Sequence, residues 1–270
     1  MKTIIFDGRS FAKEKEEELR AVVNGLKSRG IVPRLASILV GDDEASVLYV
    51  SLKKKAAGRI GAELDVYHLP KSAELPDILM LINSLNSDRN VHGIMVQLPM
   101  PGSLSNHKSE IINAIDRLKD VDGLRDDSSF LHPTSKAVMD ILHEAEKNLQ
   151  RSLKGDSCKV AVIGATGMVG TPLIKELKKE GYEVLPANSK TMDLSKVTRN
   201  GDVVISATGI PGLIRAEMVK EGVIAIDVGS PKGDFDYEVE KKASFFTPVP
   251  GGVGPVTIAC LLENLILAVD

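Results

Sequence analysis

A glycine-rich turn between an apolar run and an amphipathic segment constrains the fold of this chain more than any other feature. The apolar run is KVAVIG, residues 159–164, and the segment GMVGTPLIKELKKEG, residues 167–181, follows it. An unbroken apolar run predicts a strand buried on both faces, and the periodic pattern after it predicts a helix. Glycines at such a junction let a pyrophosphate approach the backbone, where the helix N-terminus supplies free N–H groups. The turn therefore predicts a Rossmann-like dinucleotide-binding unit, with a tight turn that binds nothing as the alternative.

The same alternation of strands and helices fills most of the remaining chain. The predicted strands cover residues 35–41, 63–68, 92–98, 158–164, 182–186, 202–208 and 223–229. The predicted helices cover residues 10–29, 44–60, 75–86, 106–117, 168–180, 215–220 and 255–268. This order predicts an α/β fold with parallel sheets and right-handed crossovers.

A charged, turn-rich stretch, KDVDGLRDDSS at 119–129, marks a seam between two domains. We predict an N-terminal three-layer α/β domain over 1–120 and a Rossmann-like dinucleotide-binding domain over 121–254. The last helix is too apolar to stand in solvent. We therefore expect residues 255–270 to return to the first domain and complete it.

Composition excludes several classes of function. The 34 basic and 37 acidic residues nearly cancel, which does not favour a nucleic acid or an anionic membrane as partner. The two cysteines, Cys158 and Cys260, lie in apolar runs and predict buried free thiols in a reducing compartment. The five histidines are scattered and predict no metal site. Neither end of the chain reads as a signal peptide or a membrane span, so we expect a cytoplasmic protein.

The end of the strand after the glycine-rich turn indicates which dinucleotide binds. An NAD site places an acid there, about 20 residues on, to bind the ribose 2′-hydroxyl. This chain has Ser189 and Lys190 instead, which favours the 2′-phosphate of NADP, although Lys190 also fits a solvated loop. A second turn, SATGIPG at 206–212, follows another strand and predicts a wall for the nicotinamide ribose or a purely structural turn. The predicted cofactor-binding residues are Gly164, Ala165, Thr166, Gly167, Val169, Gly170, Ser189, Lys190, Ala207, Thr208, Gly209 and Ile210.

Polar residues in the first half point to a site for proton transfer. Tyr49 and Lys53 are four apart and share one face of the predicted helix. A lysine that is partly desolvated near other cations has a lowered pKa, which suits it to proton transfer. Gln97 ends a predicted strand and is placed to orient that lysine, and Asp122 lies in the turn of the seam. A solvated basic helix face and a turn-forming aspartate are the alternatives.

Six ordered motifs together resemble the bifunctional methylenetetrahydrofolate dehydrogenase/cyclohydrolase family. They are VGDDEASVLYVSLKKKAAGRIG, VHGIMVQLPMP, KDVDGL, VIGATGMVGTPL, DVVISATGIPG and TPVPGGVGPVTIACLLEN, and they span most of the chain from about residue 35 onward. The resemblance implies that NADP oxidises 5,10-methylenetetrahydrofolate to the methenyl form and that water opens this to 10-formyltetrahydrofolate, in one-carbon folate metabolism. It also implies a homodimer.

The resemblance assigns roles to particular residues. Lys53 is the catalytic lysine, Gln97 its partner, Tyr49 the residue that stacks on the folate, and Asp122 the anchor of the pterin. The implied substrate-binding residues are Tyr49, Gln97, Leu98, Pro99, Asp122, Gly252, Gly254 and Pro255. Two departures stand out: Ala165 replaces the family's phosphate-loop arginine, which leaves NAD open, and RDDSSFLHPTSKAV at 125–138 is shorter than the family's segment and lacks its N-x-G-x-L pattern.

Two other classes of protein share parts of this pattern. A Rossmann oxidoreductase of the shikimate dehydrogenase kind has a similar order of domains, but its acidic substrate needs serine and arginine where this chain has Gln97 and prolines. A nucleotide-binding regulator without chemistry needs no pair like Tyr49 and Lys53.

Overall fold

The fold was obtained as a computed structural model that describes residues 2–269. The strands in chain order are β1 (Ile4–Ile5), β2 (Arg34–Val40), β3 (Glu63–Leu69), β4 (Gly93–Val96), β5 (Gly155–Ile163), β6 (Tyr182–Ala187), β7 (Val203–Ser206), β8 (Ile224–Asp227) and β9 (Phe245–Phe246). The α-helices are α1 (Gly8–Ser28), α2 (Glu44–Ile60), α3 (Leu75–Ser87), α4 (Lys108–Ala114), α5 (Pro133–Leu149), α6 (Gly170–Lys179), α7 (Leu194–Asn200), α8 (Glu238–Lys242) and α9 (Val253–Leu267).

The chain divides into two compact units. The six-stranded unit comprises Met1–Ala12 and Thr134–Thr257, and the three-stranded unit comprises Lys13–Pro133 and Ile258–Asp270. This division differs from the predicted boundaries, because residues 1–12 group with the six-stranded unit and residues 121–133 with the three-stranded one. The segment Ile258–Asp270 groups with the three-stranded unit, where Leu261, Leu262 and Leu265 of α9 lie in its core.

The three-stranded unit has the three layers that the sequence predicts. Its parallel sheet has the order β3-β2-β4. Side chains alternate across a strand, so Leu35 faces a core that contains Leu19 of α1, Ala57 of α2 and Leu261 of α9. The next residue, Ala36, faces a second core built with α3 and α4. The sheet is therefore covered on both faces, as its apolar strands require.

The six-stranded unit is the Rossmann-like part of the fold. Its sheet is parallel throughout, in the order β1-β9-β8-β7-β5-β6. Buried aliphatic and aromatic residues of β5, β7, β8 and β9 form one core with the segments that follow them. The glycine-rich turn joins β5 to α6, in the strand–turn–helix context that a dinucleotide fingerprint needs.

The prediction of a helix over 215–220 was wrong, and the helices α5, α7 and α8 and the short strands β1 and β9 were not predicted. The segment 215–220 is a short 3₁₀ turn, Ala216–Met218, because Val219 is already extended and Gly222 turns the chain at φ +75°. The helix α5, Pro133–Leu149, was not predicted at all. It follows the charged seam directly and buries Ala137, Ile141 and Ala145. Among residues 2–269, no helix combines the length and apolar character that crossing a membrane requires.

Candidate active site

Helix α2 positions Lys53 on its inner side. The helix begins after Asp43, whose carboxylate accepts the N–H of Ser46 at 2.9 Å, and it ends at Gly61 with φ +85°. Both signals are typical of helix termini. Lys53 lies half-buried on this helix, whereas Lys54 beside it is exposed. The three consecutive lysines therefore do not form one solvated face.

The amine of Lys53 lies among groups of the neighbouring strand β4. Its Nζ is 3.1 Å from Oε1 of Gln97 and 3.7 Å from Sδ of Met95. Burial lowers the pKa of Lys53, and the charge of Asp122 acts in the opposite direction. The neutral amine is therefore accessible at a lower pH than for a free lysine, and a neutral amine can accept a proton.

The physical reason given for this pKa needs correction. Desolvation by burial, which the sequence analysis expected, is the leading cause of the lowered pKa, but no lysine is among the causes, so the expected contribution of nearby cations was wrong. The small residues Ala56 and Ala57 of the same helix are fully buried in the core of the three-stranded unit.

Gln97 is held so that its carbonyl oxygen faces the lysine. Its backbone N–H donates to the carbonyl of Ile38 at 2.8 Å, which continues the pairing of β4 with β2. Its side-chain amide donates to the carbonyl of Leu98 at 2.8 Å. With its Nε2 occupied in this way, Oε1 is left to accept from Lys53. The structure thus brings Lys53 and Gln97 together, with Leu98 and Pro99 directly after them.

Two aspartates of the seam have different surroundings. Asp120 is fully buried and accepts the N–H of Arg125 at 2.9 Å. Burial raises its pKa to about 6. Asp122 is partly exposed, and its carboxylate makes no hydrogen bond or ion pair within the part of the chain that the structure describes. It lies close enough to Lys53 to act on the charge of that amine. Asp122 is therefore a carboxylate that can accept hydrogen bonds from a ligand.

Tyr49 lies one helical turn before Lys53 and is half-buried. The remaining predicted substrate residues, Gly252, Gly254 and Pro255, belong to the six-stranded unit. Gly252 is buried, and a Cβ there would come within 2.7 Å of the carbonyl of Pro248. Only glycine fits that turn, which leads into α9. The role of this loop in substrate binding stays a prediction.

The glycine-rich turn has the close packing that its sequence implies. Gly164 has φ +89°, and a Cβ on it would come within 2.6 Å of the carbonyl of Ala207. A Cβ on Gly170 would strike the carbonyl of Gly164. The first turn of α6 carries no acidic residue, so no negative charge opposes a phosphate there. These residues fit the pyrophosphate of a dinucleotide.

The loop after β6 presents the two polar groups that the sequence assigns to the ribose. Ser189 and Lys190 are both exposed, and Asn188 fixes the loop by accepting the N–H of Lys190 at 2.9 Å. No acid occurs between 187 and 192. A hydroxyl and an ammonium group without a carboxylate fit a 2′-phosphate, and Ala165 contributes no charge to it.

Sequence reasoning missed the aspartate that holds the second turn predicted to contact the cofactor. Oδ2 of Asp234 accepts four hydrogen bonds, from the hydroxyl of Ser206 at 2.7 Å, the N–H and hydroxyl of Thr208 at 2.7 and 2.8 Å, and the N–H of Gly209 at 3.3 Å. Asp234 is fully buried beside Asp227, whose pKa is raised by burial. The only signal in the sequence is an aspartate between glycine and phenylalanine.

The fold and these two sets of residues define a class of protein: an enzyme with a Rossmann-like dinucleotide-binding unit and a second α/β unit that carries a half-buried lysine. The catalytic-domain model of tetrahydrofolate dehydrogenase/cyclohydrolase matches residues 6–122, and the NAD(P)-binding domain model matches residues 132–270. The chain therefore belongs to the tetrahydrofolate dehydrogenase/cyclohydrolase family.

Individual relatives agree with this assignment over nearly their whole length. The bifunctional protein FolD of Campylobacter jejuni is 43% identical over 97% of this chain and 96% of its own. The structure of the bifunctional FolD enzyme from Campylobacter jejuni has a TM-score of 0.90 at 41% identity and covers 99% of this chain and 98% of its own. The Trypanosoma brucei FolD, whose structure holds NADP and an inhibitor, has a TM-score of 0.90 at 32% identity, with 100% and 98% covered. These matches set aside the shikimate dehydrogenase type and the non-enzymatic regulator.

Proposed function

We propose that this chain oxidises 5,10-methylenetetrahydrofolate with NADP and then hydrolyses the methenyl product to 10-formyltetrahydrofolate, with Lys53 as the group that moves the proton. The single observation that carries this proposal is the enclosed amine of Lys53, hydrogen-bonded to Gln97 at 3.1 Å and depressed in pKa by burial. Bound NADP supplies the acceptor for the hydride that leaves the methylene carbon.

The residues of the three-stranded unit hold the folate for the first reaction. The carboxylate of Asp122 accepts hydrogen bonds from the N–H groups of the pterin, and Tyr49 stacks on its ring. A positive charge develops on the substrate as the hydride leaves. A neutral Lys53 does not repel that charge, whereas an ammonium group would. The lowered pKa of Lys53 therefore already favours the hydride transfer, which precedes the proton transfer of the second reaction.

The second reaction requires a base. Water adds to the carbon of the methenyl cation and loses a proton, which Lys53 accepts. The bond from that carbon to N5 then breaks as the added hydroxyl loses its proton to become the formyl carbonyl, and N5 takes up one proton to give the 10-formyl product. One proton is released overall, because a cation and water yield a neutral formamide. Gln97 holds the amine in place during both transfers through its Oε1, and general base catalysis of this kind contributes about 10²- to 10⁴-fold.

The choice of cofactor rests on the loop after β6. Ser189 and Lys190 favour NADP. Ala165 stands where the family has an arginine, so one cation that would strengthen binding of the 2′-phosphate is absent. We therefore propose NADP as the main cofactor and NAD as a weaker one. We further propose that the protein is cytoplasmic and forms a homodimer, and analytical ultracentrifugation tests the dimer.

A spectrophotometric assay with methylenetetrahydrofolate and each cofactor separately tests the proposal. We expect the methenyl product to appear faster with NADP than with NAD and to disappear again by hydrolysis. Formation of the methenyl product without its hydrolysis contradicts the cyclohydrolase part. No oxidation with either cofactor contradicts the whole proposal.

A further inference from the structure

Ser135 is a buried serine near the start of α5 that none of the steps above uses. It lies in the segment 125–138 in which this chain departs from the family pattern, and it is fully buried. Its hydroxyl donates to the carbonyl of Val169 at 3.1 Å. A buried hydroxyl needs a hydrogen-bond partner to offset its loss of water, so this bond fixes the serine and the carbonyl relative to each other.

The carbonyl of Val169 lies at the beginning of α6. Val169 is the last residue before that helix and belongs to the glycine-rich turn. Its carbonyl also accepts the N–H of Leu173 at 3.2 Å, a hydrogen bond of the first helical turn. Two donors from two different helices therefore hold this one oxygen.

The same peptide group carries the N–H of Gly170. A peptide group is planar and trans, so its N–H points away from its C=O. Ser135 and Leu173 therefore set the direction of the Gly170 N–H by holding the oxygen on the opposite side of the plane. Hydrogen bonds to a carbonyl also polarise the amide, which makes its N–H a stronger donor.

The N–H of Gly170 is free to bind a ligand. It is the first N–H of α6, and among residues 2–269 it donates to no other group and no side chain caps the helix. The next two positions offer less, because the N–H of Thr171 is bonded to the carbonyl of Gly167 at 3.0 Å and Pro172 has no N–H. Most helices cover their first N–H groups with a side chain, whereas phosphate-binding helices leave them to the ligand.

Helix α5 is a firm support for the serine. Its residues Ala137 and Ile141 are fully buried. Further along α5, the imidazole of His143 lies 3.0 Å from the carboxylate of Glu180, directly after the end of α6. Contacts at both ends thus hold the two helices side by side within the six-stranded unit. The serine hydroxyl is carried by a packed helix rather than by a loop.

We propose that Ser135 is a positioning residue for the cofactor: through the carbonyl of Val169 it directs the N–H of Gly170 at the pyrophosphate of NADP. The proposal rests on the proposed function for the identity of the cofactor, and it adds a residue outside the glycine-rich turn to the binding of that cofactor. It also assigns a role to the segment in which this chain departs from the family.

One substitution and one matched control test this role. Ser135→Ala removes the hydroxyl and leaves the rest of the side chain in place. The control is Ser244→Ala, because Ser244 is a buried serine of the same unit whose hydroxyl donates to the carbonyl of Gly222 at 2.8 Å. Ser244 and Gly222 precede strands β9 and β8, so they lie at the edge of the parallel sheet opposite the glycine-rich turn.

Three nucleotides separate the pyrophosphate from the rest of the cofactor. NADP and NAD both contain it, whereas adenosine 2′-monophosphate carries the 2′-phosphate alone. Calorimetry gives the Kd of each nucleotide for the wild type and both variants. We expect Ser135→Ala to weaken NADP and NAD by the same factor, about 2- to 10-fold, the range of one neutral hydrogen bond. Adenosine 2′-monophosphate should bind as it does to the wild type, and Ser244→Ala should bind all three unchanged.

Kinetics provide a second separation. In Ser135→Ala the KM for NADP should rise by the same factor, while the KM for the folate and kcat at saturating NADP stay constant. A folded Ser135→Ala with an unchanged Kd for NADP overturns the proposal. An equal loss of adenosine 2′-monophosphate also overturns it, because that result indicates a general loosening of the unit.

A further measurement needs no variant. In the assigned amide spectrum of the ¹⁵N-labelled wild type, NADP and NAD should move the proton of Gly170 downfield, as a hydrogen bond to a phosphate oxygen requires, and adenosine 2′-monophosphate should not. A Gly170 amide that does not respond to bound NADP overturns the proposal whether or not Ser135→Ala folds. A wild type that binds NADP in this way without oxidising methylenetetrahydrofolate contradicts the proposed function alone.

Discussion

Substitution of Asp234 tests how the six-stranded unit holds the turn at 206–212, which is predicted to contact the cofactor. One oxygen of this buried carboxylate accepts three hydrogen bonds of 2.7–2.8 Å and a weaker one of 3.3 Å, all from residues 206–209. Asp234→Asn preserves the shape and an acceptor oxygen but removes the charge. Charged hydrogen bonds contribute about 1.5–3 kcal/mol and neutral ones about 0.5–1.5, so each strong bond loses about 1 kcal/mol.

Two effects set the net change in the free energy of unfolding caused by Asp234→Asn. The three strong bonds together lose about 3 kcal/mol by this reasoning. Removing one of two neighbouring carboxylates relieves repulsion with Asp227, whose pKa Asp234 helps to raise, and this offsets part of the loss. We expect the free energy of unfolding to fall by about 2 kcal/mol, which lowers Tm by roughly 4–8 °C in a unit of this size.

The assay combines thermal unfolding with binding of NADP. Because Thr208 and Gly209 are predicted to contact the cofactor, a loosened turn should also weaken NADP binding, by about 10-fold for 1.4 kcal/mol of reorganisation. The matched control is Asp236→Asn, whose carboxylate accepts only the N–H of Glu238 at 3.0 Å within the described part of the chain. A Tm and a Kd for NADP both equal to those of this control would refute the reasoning. A lowered Tm with unchanged Kd would refute only the link to the cofactor.

Three further substitutions test the site itself. Lys53→Met should lower the rate of methenyl hydrolysis about 10²- to 10⁴-fold in a stopped-flow assay, while Lys54→Met, which alters an exposed neighbour, should leave it unchanged; equal effects would remove the special role of the enclosed amine. Asp122→Ala should raise KM for the folate about 10- to 100-fold and leave the Kd for NADP unchanged, so equal losses of both would point to a folding role instead. Lys190→Ala should weaken NADP about 2- to 5-fold, the size of an exposed ion pair, without changing the Kd for NAD, and a matching loss of NAD would separate Lys190 from the 2′-phosphate.

Local patterns were sufficient to predict the elements that carry the lysine site. The helix 44–60 has a capping aspartate before it and a glycine after it, and its bounds agree with the prediction. The run 92–98 is short and apolar, which predicts a buried strand, and its polar end at Gln97 follows from the same pattern. Once strands of a parallel sheet lie side by side, a helix that follows one of them passes the end of its neighbour. The proximity of Lys53 to Gln97 is thus a consequence of fold class.

The buried acids could not be predicted in the same way. Asp234 and Thr208 are separated by 26 residues, and Asp120 lies in a stretch that reads as a solvated turn. The burial of each depends on segments that pack from elsewhere in its unit. Helix α5 was not predicted for a related reason. It follows the charged seam, and its pattern was read as part of the turn-rich connection between the two domains. Composition of a loop says little about what covers it.

The pH dependence of stability gives the sharpest test of burial at Asp120. Its pKa is raised from 3.8 to about 6 because the carboxyl is removed from water. The folded state therefore holds this proton more firmly than the unfolded state, so the free energy of unfolding falls as pH rises from about 4 to 6. The shift in pKa corresponds to a loss of about 3 kcal/mol in the free energy of unfolding, and this loss is complete once the pH is above the folded-state pKa.

Asp120→Asn should remove this dependence, because the amide oxygen still accepts the N–H of Arg125 and cannot titrate. Urea unfolding at several pH values between 4 and 8 gives the stability of the wild type minus that of the variant. We expect this difference to decline by about 3 kcal/mol from pH 4 to pH 8, because the wild type loses stability as Asp120 ionises and the variant does not. Asp126→Asn, at an exposed aspartate of the same segment, is the matched control. A flat difference would mean that Asp120 is ionised in water-like surroundings, and a rising one would mean that the hydrogen bonds from Leu124 and Arg125 outweigh its burial.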